Sequence, residues 1–221
     1  MSNTRQAKAK ARIAASLKSR AIAVISDAKK AGDVYVTCTF NGKGSKHVTK
    51  VFAAAAIKFS GLSQLDLAKK ANVRKHTVGT ALAKGTTTTT TLIDIVRAAE
   101  LNFSIIATPK KTSTKKPSIM ITFYADDAKN TCAPPAAKNA EIIHAPAMGD
   151  FIRLMRENAG LQRADLVSIL GVCDNVVKKA EMARPLDEGG KLNNVVRLDT
   201  IKARADATGH RITLQLRIPT P

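Results

Sequence analysis

The chain has 221 residues, 44% of them hydrophobic, with 36 lysines and arginines against 17 acids and a formal charge of +19. That length buries one or two ordinary cores, and so large a positive excess calls for a polyanionic partner, of which nucleic acid is the commonest. No run of eighteen apolar residues is long enough to span a membrane. The three cysteines, Cys38, Cys132 and Cys173, stand too far apart for a zinc-ligand pattern or a disulfide framework, so reduced thiols in a cytoplasm are expected.

Residues 4–30 carry Arg5, Lys8, Lys10, Arg12, Lys18, Arg20, Lys29 and Lys30 against the single acid Asp27. Ile13, Leu17, Ala21, Val24 and Ala28 recur at helical spacing, which predicts a basic helix or arm over residues 1–33, ending near Gly32. Such an arm suits DNA phosphates, and it equally suits a solvated helix docked on the fold by its apolar stripe. Residues 34–40, VYVTCTF, alternate as a strand. Val48, Val51, Phe52, Ala55, Ala56 and Phe59 then mark one face of a helix.

Residues 62–85, LSQLDLAKKANVRKHTVGTALAKG, predict two short helices joined by a tight turn. Ser63 is placed to cap the first, Leu67, Ala68 and Ala71 form its apolar face, and Asn72 tolerates the left-handed backbone that ends it. Val73 fills the corner. Val78, Ala81 and Leu82 bury the second helix, leaving Arg74, Lys75, His76, Thr77 and Thr80 facing outward. Six threonines, 86–91, form a loop whose last hydroxyl is expected to cap a helix of Leu92, Ile95, Val96 and Ala99, closed by Asn102. Residues 103–108 alternate as a strand, and 110–117 form a basic, proline-bounded linker.

Residues 118–124 predict another strand, 125–140 a loop, and Phe151, Ile152, Met155 and Ala159 a helix. The earlier pattern then returns as LQRADLVSILGVCDNVVKKAEMA over 161–183. Leu161 follows Leu62 by 99 residues, and Val172 follows Val73 by the same 99. Gly171 stands at the turn, with Leu166, Leu170, Val172 and Val177 as packing residues. A long connection, RPLDEGGKLNNV, leads to a helix through Ile201 and Ala205, and Ile212, Leu214, Leu216 and Ile218 alternate as the clearest strand in the chain. The four histidines, His47, His76, His144 and His210, meet no carboxylate cluster or phosphate loop, so neither catalysis nor a metal or other cofactor is expected.

The stretch 62–85 resembles the helix-turn-helix of the lambda repressor and Cro family, often called XRE-like, through Leu62, Ser63, Gln64, Leu67, Ala68, Asn72, Val73, Thr77 and Val78. Asn72 departs from the usual glycine, a mild change. The repeat meets the same pattern, with Glu181 where the family often has a glutamate. The end of the chain also resembles HipB- and HigA-like antitoxins, whose last strand commonly joins two protomers. The fold expected is mainly α with a small β-sheet (α+β). Residues 34–109 and 118–221 would be two repressor-like domains, each flanked by strands that pair within one chain or across a homodimer.

The resemblance implies double-stranded DNA as partner, contacted by Gln64, Arg74, Lys75, His76, Thr77 and Thr80. Arginine and lysine match guanine acceptors and glutamine matches adenine, while Lys69, Lys70 and Lys84 suit phosphates. The matching second-copy residues are Arg163, Asn175 and Lys179, with Lys178 beside them; Asp174 opposes a phosphate-lined groove. The implied function is a sequence-specific transcription regulator. An antitoxin-like protein that binds a partner protein, and a nucleoid-type protein that coats DNA, are the alternatives.

Overall fold

The computed structural model describes residues 34–39, 44–110, 116–125, 142–182 and 196–218. The expected basic helix of 4–30, nearly all of the 125–140 loop and most of the connection after 183 lie outside these residues. In chain order the elements are β1 (Val34–Thr39), α1 (Ser45–Ser60), α2 (Gln64–Lys70), α3 (Lys75–Lys84), α4 (Thr89–Ala98) and β2 (Asn102–Pro109). They continue as β3 (Ser118–Phe123), β4 (Ile142–His144), α5 (Met148–Asn158), α6 (Arg163–Leu170), α7 (Asp174–Glu181), α8 (Leu198–Ala207) and β5 (His210–Ile218). The result is a mixed α/β fold with eight helices and one five-stranded sheet among the described residues.

The sheet runs in the order β1-β5-β2-β3-β4. β2 and β5 pair antiparallel at its centre, with Phe103 opposite Leu216, Ile105 opposite Leu214 and Ala107 opposite Ile212. β1 flanks β5 and β3 flanks β2, both antiparallel, and β4 adds a short parallel edge to β3. Alternate residues face opposite sides of a strand, which sends Val36, Cys38, Phe103, Ile105, Ala107, Ile119, Ile121, Phe123, Ile212, Leu214 and Leu216 to one buried face. The helices cover that face, where Phe52 of α1 meets Phe103 edge-on at 5.6 Å between ring centroids. Thr37, Ser104, Thr122, Thr213 and Gln215 occupy the other, half-exposed face, the division usual for an antiparallel sheet covered on one side.

A twofold operation that exchanges β2 with β5 also exchanges β1 with β3. Each half therefore lends its first strand to the last strand of the other half. The helices obey the same relation. Gly61 and Gly160, 99 residues apart, both end a helix in the left-handed region, at φ 66° and 76°. Farther on, Glu100 and Gly209 both adopt positive φ, 61° and 70°, at the entry to β2 and β5, now 109 residues apart. The ten added residues fall in the connection between α7 and α8. The 110–117 stretch joins β2 to β3, which pair directly with each other.

Several local expectations change. Thr88, not Thr91, caps α4 by accepting from the Thr91 amide at 3.1 Å, because Thr89 and the residues after it are already helical. The helix closes at Ala99 and Glu100; Asn102 is the first residue of β2. Phe59 lies at the end of α1 with 40% of its surface exposed, under the Lys58 ammonium at 5.4 Å, not on the buried face. Leu170 and Val172 are only half-buried. No helix among the described residues is by itself long and apolar enough to cross a membrane.

Gly85 ends α3 at φ 68°, and a Cβ there would stand 1.9 Å from the Lys46 carbonyl oxygen. Lys46 is backbone of α1 and cannot retreat as a side chain could. Gly85→Ala should therefore destabilise the fold by more than about 1 kcal/mol, read as a lower urea midpoint.

His210, buried at the start of β5, is locked by its neighbours. The Asn158 amide donates to the Pro117 carbonyl at 3.1 Å and stands 3.3 Å from His210 Nε2, while Nδ1 stands 3.0 Å from the Thr208 hydroxyl, which itself donates to the Arg204 carbonyl. Only a neutral ring with the proton on Nδ1 satisfies all of these contacts. Burial lowers the His210 pKa below its ordinary 6.5, with Lys116 and Lys110 adding to the effect against the Thr208 hydrogen bond. The unfolded chain then binds the proton more readily, so the stability from this group is complete above pH 6.5 and is lost as pH falls through the folded value. Urea midpoints of the wild type should drop on acidification below 6.5 by more than those of His210→Gln, whose amide oxygen can still accept from Asn158.

Candidate functional site

In the first paired-helix unit the 62–85 stretch folds as its residues predict. Ser63 Oγ accepts from the Asp66 amide at 3.2 Å and caps α2, and α1 meets α2 at 98°. Asn72 takes φ 51°, and the Val73 amide closes the turn on the Ala68 carbonyl at 2.9 Å. Leu67, Ala68, Val78 and Ala81 are buried, and α3 is held against both α1 and α2. This anchoring leaves one side of α3 outward.

Arg74, Lys75 and His76 are exposed at the start of α3, and Thr77 and Thr80 are half-buried behind them. Gln64 joins them: its Oε1 is the nearest atom to the open side of Gly79, 3.9 Å from where a Cβ would stand. The Gln64 side chain thus reaches the α3 surface at Gly79, one turn beyond Lys75, so Gln64 and Lys75 belong to one surface. Lys69 and Lys84 are exposed. Lys70 is also exposed and donates to Glu100 at 2.6 Å beside Phe59 and Leu62, and this contact lowers the Glu100 pKa.

The second unit has the same frame. The Gln162 side chain and Asp165 form a capping box on α6, Gly171 takes φ 63°, and Val172 closes the turn on the Val167 carbonyl. Leu166 and Val177 are fully buried where Leu67 and Val78 are in the first. Asp174, Asn175, Val176, Lys178 and Lys179 are exposed on α7. Arg163, which holds the position of Gln64, stands 3.5 Å from Glu181.

Glu181 is the centre of a buried charge cluster that the sequence did not reveal beyond the glutamate itself. Arg156 of α5 donates to both its oxygens, at 2.6 and 3.2 Å, and to the Leu161 carbonyl at 2.9 Å. The Glu181 contact raises the Arg156 pKa. Arg204 of α8 is 2% exposed; desolvation lowers its pKa while the Glu181 charge opposes that shift. Its Nη2 donates to the Val176 carbonyl at 3.2 Å, and Nε and Nη1 have no hydrogen-bond partner. The first unit has Ile57, Leu82 and Ile95 in place of Arg156, Glu181 and Arg204. Spacing could have found the exchange, since the 99- and 109-residue offsets align each pair.

A depression of about 610 Å³ lies beside this cluster, lined by Arg156, Glu157, Leu161 and Arg163 among others, but its guanidinium groups are already committed to Glu181. Among the described residues no group of three or more His, Cys, Asp or Glu side chains could hold a metal ion. No family model, curated protein or solved structure matches the chain.

Glu181→Leu alone should cost about 3–5 kcal/mol, because buried Arg156 loses its paired carboxylate and buried Arg204 the nearby charge that offsets its desolvation. The triple variant Arg156→Ile, Glu181→Leu, Arg204→Ile, which installs the first unit's apolar set, should recover most of that loss in urea unfolding.

Proposed function

We propose that the chain is a sequence-specific DNA-binding transcription regulator, with α2 and α3 acting as a helix-turn-helix of the lambda repressor and Cro type. The observation that carries this reading is the outward surface of Gln64, Arg74, Lys75 and His76 on a helix whose opposite side is fixed by buried Val78 and Ala81. A rigid helix with donors over its first turn fits the major groove, where arginine and lysine match guanine and glutamine matches adenine. The formal charge of +19 supports it by favouring phosphate contacts and fast encounter. Lys69, Lys70 and Lys84 serve the backbone, Lys70 from an exposed ion pair with Glu100. The chain works by binding, not as an enzyme.

Genomic footprinting of the tagged protein separates this reading from a nucleoid-type coat: sharp sites support a regulator, and broad coverage removes it. Lys75→Ala and Gln64→Ala should each weaken cognate binding by about 1–3 kcal/mol at fixed salt. Unchanged titrations would dismiss α3 as the reading helix.

A further inference from the structure

The two paired-helix units share a frame and differ in what it displays. Buried leucine and valine, the left-handed turn residue and the turn-closing hydrogen bond all recur at the 99-residue offset. At the outward positions Arg74 becomes Cys173, Lys75 becomes Asp174, His76 becomes Asn175 and Thr77 becomes Val176. Over residues 62–83 the first unit has four cations and one acid; over 161–182 the second has three of each. Arg163, in the place of Gln64, is drawn toward Glu181. The sheet places both units on its one helical side, related by the exchange of β2 with β5.

We infer that the chain binds its operator asymmetrically: the first unit reads base edges, and the second only grips phosphates of the adjoining half-site through Lys178 and Lys179. This rests on the DNA reading proposed above. Asp174 is exposed at the start of α7, where it would meet the phosphate-lined groove with no donor of its own, able to accept only from the exocyclic amines of cytosine or adenine. Val176, 46% exposed beside it, offers no donor. Lys178 and Lys179, exposed a turn farther along, are the cations this helix presents. One chain thus supplies a twofold scaffold and a single set of base-reading side chains.

The test uses the full chain and a duplex selected by it from a random library. Hydroxyl-radical footprinting should protect two adjacent stretches, while single base-pair changes should lower affinity roughly 5- to 100-fold in one stretch only. Lys178→Ala and Lys179→Ala should weaken all sequences alike and flatten the slope of log affinity against log salt by about 0.9 per lost contact. Asn175→Ala should leave base preference unchanged. Because the frames match, Cys173→Arg, Asp174→Lys and Asn175→His together should create a preference for a palindromic version of the read stretch. Equal sensitivity to base changes in both stretches, or altered preference in Asn175→Ala, overturns the asymmetry while leaving the DNA reading intact. If nothing is enriched from the library, the DNA reading itself fails and the asymmetry falls with it.

Discussion

The antiparallel seam between β2 and β5 is the contact on which the rest of the fold depends. Eight residues of each strand are in register, and Ile105 faces Leu214 near the middle. A lone pair of short strands is marginal in water, and three or more with a covered apolar face are needed for stability. Neither half meets that condition with its own strands, because β1 pairs with β5 of the other half and β3 with β2. The seam therefore makes one sheet and one core from two copies of a pattern. α1 and α4 pack on β2 and carry α2 and α3 on their outer side, while α5 packs on β3 and α8 on β5, within a continuous buried cluster.

The two copies solve the same packing problem with different chemistry. At the helix junction the first unit uses Ile57, Leu82 and Ile95, which ask nothing of their surroundings except contact. The second uses Arg156, Glu181 and Arg204, whose burial is tolerable only through the hydrogen bonds that Glu181 and the backbone carbonyls accept. The difference extends outward. Glu181 holds Arg163 on the surface, so a core substitution also changes which side chain is free beside α7.

Much of this was legible in the chain. Alternation located β2, β3 and β5 within a residue or two, Ser63 announced the cap that forms, and Asn72 announced the left-handed turn. The repeat, with a strand after each copy, left pairing within one chain or across a homodimer open, and the sheet takes the first form. The residues that escaped did so for physical reasons. β4 has only three residues, too few for a period. Thr88 and Thr91 are chemically the same, so only the point where helical dihedrals begin decides which hydroxyl caps. Phe59 continues a helical stripe beyond the length of core that α1 covers. The outward set Gln64, Arg74, Lys75 and His76 could be named from sequence, but its unity could not, since that depends on how α2 lies against α3 and brings Gln64 to Gly79.

The pairing of β1 with β5 also governs how the molecule is made. On a ribosome the first strand emerges about 170 residues before its partner, which at the usual pace of synthesis is a wait of roughly ten to thirty seconds. During that time β1 exposes Val36 and Cys38, which the finished sheet buries, and any neighbouring nascent chain that has already produced β5 can capture it. Exchange of identical elements between chains is an easy route to dimers. A sheet that joins β1 to β5 thus carries a birth-time hazard of strand exchange between copies translated on the same message.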